Sequence, residues 1–230
     1  LEASAAAMEK FGRYLVGKDP LQIEHHWQNM YRTSHFRGAA IMGALSALDI
    51  ALWDIAGKHF GVPAYQLLGG KTRNKARVYY HVYGDTREKL VQGVRDAREA
   101  GFTAVGHLTP FLDESKGVPF FKTHSDKMGD AIEAVAAYRE AAGTGVDLCI
   151  EIHRQLTPTE SITLAKGIEQ FHPLFYEDPI LPDNFDAMGL VARNVSIPIA
   201  TGERLHSIHE FAMLLARGAV SDYAHQGVST

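Results

Sequence analysis

The chain has 230 residues, 46% hydrophobic and 22% charged, with a net charge of −4 and a single cysteine. That profile fits a soluble globular protein of one large or two modest domains, without the basic footprint of a nucleic-acid binder or a disulfide framework, so a reducing cytoplasm is the expected setting. No apolar run approaches the roughly 18 residues of a membrane helix, and the start at Leu1 lacks the basic, apolar, small-residue order of a signal peptide, so no membrane partner is expected.

Glu2 to Tyr14 reads as a helix, and Asp19-Pro20 opens a second, with apolar residues at Ile23, Trp27 and Tyr31. Gly38 to Gly57 carries Ile41, Leu45, Leu48, Leu52 and Ile55 at helical spacing, apolar enough to lie between other elements. Gly61-Val62-Pro63 stops it, and Tyr65 to Gly70 makes a short turn with a glycine end. From Lys71 the rhythm changes. Strands are predicted over Ala76–Val82, Thr103–Leu108, Asp147–Ile152, Leu174–Glu177 and Ile197–Thr201, and another begins at Val220–Tyr223. Helices are predicted between them over Thr86–Ala100, Asp126–Ala142, Thr159–Gln170, Asn184–Arg193 and Ile208–Arg217. The stretch Asp113 to Lys127, with Phe120, Phe121 and His124, is long for a βα loop and a candidate lid.

Strict alternation of strand and helix implies parallel strands joined by right-handed crossovers. No G-x-G-x-x-G or Walker A run follows any strand, which argues against a nucleotide-binding sheet and favours a TIM-type (β/α) barrel. The expected division is a helical part of a capping domain over 1–75 and barrel strands and helices over 76–230. Only six strands are visible and both termini read as cut, so the barrel is expected to be incomplete here.

Glu151, Glu177 and Glu203 each close or follow a strand, at equal intervals of 26 residues. One βα unit returns the chain to the same height on the next strand, so equal spacing sets the three carboxylates side by side at the C-terminal rim, where barrel enzymes keep their sites. Like charges that close raise one another's pKa, and a hard divalent cation relieves them; three oxygens with room for water and substrate suit Mg²⁺. Zinc is disfavoured for want of a Cys/His ligand cluster. His153 lies two residues beyond Glu151, on the same face if the strand persists, and is placed to shuttle a proton. Arg154 is a candidate clamp for an anionic substrate or a solvated loop residue. Cys149, in the apolar run before Glu151, is expected in the core.

These residues resemble the enolase superfamily in its mandelate racemase/muconate lactonizing enzyme-like branch. The pieces that carry the resemblance are Ser46-Ala47-Leu48-Asp49-Ile50-Ala51-Leu52-Trp53-Asp54-Ile55-Ala56-Gly57-Lys58 and Pro63 to Gly70, then Glu151-Ile152-His153, Tyr176-Glu177-Asp178-Pro179 and Thr201-Gly202-Glu203-Arg204. The resemblance implies an α+β capping domain over a (β/α)₇β barrel, with Glu151, Glu177 and Glu203 as Mg²⁺ ligands and His153 as an acid–base residue. His153-Arg154-Gln155-Leu156-Thr157-Pro158 is similar to gluconate, galactonate and mannonate dehydratases. It thereby implies proton abstraction next to a carboxylate, an enediolate and loss of water to a 2-keto-3-deoxy acid; racemases, epimerases and cycloisomerases share the scaffold. A homo-oligomer acting on a sugar acid is the implied assembly. A non-catalytic paralogue that binds Mg²⁺ or an acid sugar is the rival. The family's Lys-x-Lys on the second strand is absent, Val105-Gly106-His107-Leu108 standing there, so His107 is the substitute candidate. The family's other base, a histidine on a later strand, would lie beyond Thr230.

Overall fold

The computed structural model describes residues 2–36, 38–112, 122–220 and 223–224. The chain divides into two compact units, one built on Leu1–Ala76 that also takes Glu203–Ile208, the other on Arg77–Gly202 with His209–His225.

The first unit is helical: α1 Glu2–Leu15, α2 Ile23–Thr33, α3 Ala39–Phe60 and the short α4 Ala64–Leu67. Phe11 of α1, Met30 of α2 and Ala44 and Leu45 of α3 form one buried cluster. Ile23, Leu52 and Ala56 form another. Buried His26 is satisfied in place, its Nε2 2.8 Å from the Asp19 carbonyl and its Nδ1 3.1 Å from the Tyr14 hydroxyl. One expectation needs correcting. By length and composition α3 is apolar enough to cross a bilayer, 22 residues with a hydropathy of 1.6 in its most apolar window. It was missed because Ser46, Asp49 and Asp54 interrupt the run without lowering its mean far. Here α3 packs on α1 and α2, while Ile50, Ile55 and Phe60 stay exposed.

The second unit alternates strand and helix: β1 Tyr80–His81, α5 Arg87–Glu99, β2 Ala104–Leu108, α6 His124–Ala142, β3 Asp147–Glu151, α7 Pro158–Ile168, β4 Phe175–Glu177, α8 Phe185–Arg193, β5 Ile199–Thr201, α9 Ile208–Ala216 and β6 Tyr223–Ala224. A 3-10 turn, Glu169–Phe171, follows α7. The six strands are parallel and ordered β1-β2-β3-β4-β5-β6. A doubly wound sheet reverses its order at a switch point; this one never does, which is the winding of a (β/α) barrel.

Residues from Leu148 through Glu151 are all buried, as a strand covered on both faces requires. Tyr176 fixes which side is which. Its hydroxyl reaches the Ser161 carbonyl of α7 at 3.4 Å, so Tyr176 faces the helices. By alternation its neighbours Phe175 and Glu177 face the other way, and the register Cys149↔Phe175, Glu151↔Glu177 carries Cys149 and Glu151 with them. Cys149, Phe175 and Ala200 form a buried layer on that side.

β1 is shorter than predicted, two residues rather than seven, and among the described residues it pairs with β2 alone. The far part of the candidate lid is helix, since the Thr123 side chain accepts from the Asp126 N–H and α6 starts at His124. Its earlier part, 113–121, lies outside the described residues.

Candidate active site at the strand ends

Glu151 and Glu177 sit opposite one another in the β3–β4 register, each about 5% exposed (5% and 6%). Burial, and then the charge of Glu177, hold the Glu151 carboxyl well above the usual carboxylate range. A hydrogen bond between the two carboxyls adds to that rise, while the His153 backbone N–H, donating to Glu151 Oε1 at 2.8 Å, opposes it. Without positive charge nearby, the neutral form of Glu151 is favoured. Burial, and then the charges of Glu177 and Asp147, push the neighbouring Cys149 thiol up to about 12, which keeps it protonated and poorly nucleophilic.

Beyond these glutamates the strands end in left-handed backbone. Asp178 has φ 39°, His153 54° and Arg154 66°. β3 therefore does not persist to His153, as same-face spacing supposed; the chain turns and His153 reaches the rim by that turn. Two hydrogen bonds hold it, Ile152 N–H to the Glu177 carbonyl at 3.0 Å and Arg154 N–H to the Asp178 carbonyl at 2.8 Å. Thr157 then caps α7 with a capping box, its side chain accepting from the Glu160 N–H and Glu160 reaching back.

Arg154 does not stand alone as a clamp. Its Nη1 lies 3.1 Å from Asp178 Oδ2, and Asp178, 1% exposed, accepts the Thr201 hydroxyl at 2.6 Å on its other oxygen. Asp178 thus ties the loop after β3 to the end of β5. Sequence reasoning quoted Asp178 and Thr201 within its motifs but gave them no role, although Asp178 follows a strand-end glutamate directly.

His107 reaches the site through a break in β2. Ala104 and Val105 pair with Asp147 and Leu148, but Leu108 pairs with Ile150, so the register shifts between Val105 and Leu108. His107 sits in that bulge with φ 62°, which breaks the strand's alternation. Its ring meets the His153 ring edge-on at 4.9 Å.

Glu203 follows Gly202, whose φ of 134° suits glycine, immediately beyond β5, and it is half-buried. It clusters with the first unit, so the carboxylates brought together within the second are Glu151 and Glu177. Among the described residues no group of three or more His, Cys, Asp or Glu side chains is gathered as a metal site. The chemistry of the pair nevertheless fits a hard divalent ion: both donors are oxygen, both are buried, and their charge is opposed by that burial.

A sequentially wound parallel sheet with an acidic pair and a histidine at the C-terminal rim is the arrangement of an α/β-barrel protein, the kind of fold that places its functional residues there. The sequence pattern described as enolase C-terminal domain-like matches residues 89–225, and that of the mandelate racemase/muconate lactonizing enzyme N-terminal domain matches residues 2–69. The chain belongs to the mandelate racemase/muconate lactonizing enzyme branch of the enolase superfamily. It is 36% identical over 230 residues to a D-galactonate dehydratase of Verminephrobacter eiseniae (strain EF01-2), covering 98% of this chain and 59% of that protein. It is 37% identical over 231 residues to a D-galactonate dehydratase of Variovorax paradoxus (strain S110), covering 96% and 58%. The chain therefore spans under two thirds of the length of these curated relatives. Among solved structures, a mandelate racemase/muconate lactonizing enzyme-like protein from Rubrobacter xylanophilus DSM 9941 superposes with a TM-score of 0.90 at 31% identity, over 99% of this chain and 63% of that one.

Proposed function

We propose that the chain is part of a Mg²⁺-dependent hydro-lyase that dehydrates a sugar acid to a 2-keto-3-deoxy acid. The buried Glu151–Glu177 pair, with His153 folded back onto Glu151, is the observation that carries this reading. The relatives named as D-galactonate dehydratases support the substrate class.

Glu151, Glu177 and Glu203 would hold the ion, Glu203 on its place in the chain just beyond β5. When bound, Mg²⁺ supplies positive charge that offsets the carboxylates and favours a substrate's own carboxylate beside them. The protein's residues handle the protons. In the reaction a base takes the proton on C2, the electron pair left there forms the C2–C3 double bond as the C3–O bond breaks, and His153 donates a proton to the departing hydroxyl so that it leaves as water. His107, in ring contact with His153, is the second proton-handling group at this rim. Arg154, engaged with Asp178, fixes the turn that presents His153.

The test is formation of 2-keto acid from a panel of aldonic and aldaric acids, with and without EDTA. The expected result is turnover of at least one acid, lost on chelation and restored by MgCl₂. Turnover that ignores EDTA would overturn the metal assignment, and no turnover of any acid would overturn the substrate class.

A further inference from the structure

β1 brings a third histidine to the rim by a route the carboxylates do not share. Tyr79, His81 and Tyr83 alternate along it and its flanks, so their side chains leave on one side. The Tyr79 ring fills the space above Gly106 of β2, where a Cβ would come within 2.4 Å of its Cε2 atom. No other residue at 106 leaves that ring in place. From there the Tyr79 hydroxyl lies 3.1 Å from His81 Nε2, and the Tyr83 hydroxyl lies 3.2 Å from His81 Nδ1. A neutral imidazole satisfies both only if one phenol donates to its bare nitrogen and the other accepts from its N–H. Both ring nitrogens are therefore engaged within the protein, and what His81 offers the site is the face of its ring.

That face is used. The His81 and His107 rings stack at 5.3 Å between centroids with 19° between their planes. The Tyr83 ring meets His107 at 5.5 Å. His107 holds this position from left-handed backbone inside the β2 bulge.

We propose that His81, held by Tyr79 and Tyr83, is a positioning residue that sets the ring plane of His107 and through it the contact with His153. The proposal rests on the reading of His107 and His153 as proton-handling groups, and it names the buttress that reading lacks. Gly106, Tyr79, His81, His107 and His153 then form one line of support across β1, β2 and β3. Sequence reasoning placed a strand here but no candidate residue on it, although an aromatic residue or histidine at every second position from 79 to 83 was the available signal.

The experiment compares the intact protein with His81→Ala, His81→Phe and Tyr79→Phe. The first readout is acylation of His107 by diethyl pyrocarbonate, followed residue by residue by peptide mass spectrometry, which needs no substrate. His81→Ala is expected to raise the His107 rate several-fold, and His81→Phe, which keeps a flat ring, to return it close to the parent value. Cys149, the single cysteine and 1% exposed, reports on folding: it should stay closed to alkylation throughout. If His81→Ala opens Cys149, the decision falls to Tyr79→Phe, which removes one hydroxyl and should still speed His107 acylation measurably. The second readout is dehydration kinetics, where His81→Ala should lower kcat about tenfold with KM little changed, as expected for a misoriented group. An unchanged His107 rate in a variant with Cys149 protected would overturn the positioning role. An absence of dehydration in the parent protein would instead overturn the reading it rests on, with the acylation result standing on its own.

Discussion

At the scale of residues the site rests on one conflict, two carboxyl groups facing each other away from water. Glu151→Gln removes the charge while keeping the shape, and should abolish turnover and leave Mg²⁺ binding, measured by calorimetry, at least about tenfold weaker. His153→Asn should lower kcat by roughly 10²- to 10⁴-fold, the span attributed to a positioned acid, while Mg²⁺ still binds; full activity in that variant would reject the role. Asp178 answers to a different measurement. It accepts from Arg154 and Thr201 while 1% exposed, so Asp178→Ala strands both partners and should cost about 3 kcal/mol by urea denaturation. Glu151, Glu177 and His153 could be picked out from type and spacing. Asp178 could not be told from an ordinary loop carboxylate, because what singles it out are partners on the strands to either side, Arg154 after β3 and Thr201 on β5.

At the scale of elements, the helices were legible nearly end to end, since 3.6-residue periodicity and caps such as Thr86, Thr157 and Asn184 are local signals. Strand ends were not, because pairing decides them: β1 shrank to Tyr80–His81, and the bulge that delivers His107 has no mark in Val105-Gly106-His107-Leu108 beyond one glycine. Arg139 shows how elements are fastened at the end away from the site. Its guanidinium donates to the carbonyls of Gly143, Val146 and Phe171 at 2.7 to 2.8 Å, joining the end of α6 to the start of β3 and the turn after α7. Arg139→Ala should therefore cost about 2–3 kcal/mol in chemical denaturation without changing KM. A drop in substrate affinity at unchanged stability would contradict that purely structural assignment.

For the whole molecule, the raised pKa of Glu151 makes stability depend on pH in a definite sense. Its native pKa lies above its unfolded one, so without metal its contribution is fully present below the unfolded pKa. It is lost as pH rises through the native value, because the folded state must then surrender a proton that it holds more tightly. Melting curves of EDTA-treated protein should accordingly fall with rising pH above the carboxylate range, and Glu151→Gln should flatten that fall. Added MgCl₂ should raise Tm more at high pH than at low, since the ion competes with the proton held by Glu151; a Mg²⁺ shift independent of pH would count against the pair as ligands. The left-handed residues at the rim carry a consequence of another kind. His107, His153, Arg154 and Asp178 occupy backbone states that β-branched side chains resist, whatever chemistry they perform. His107 and His153 stand outside the Arg154–Asp178 ion pair, so in a saturation library selected for abundance alone those two codons should drift toward Asn and Gly and shun Val and Ile, a scar of geometry that outlasts the loss of catalysis.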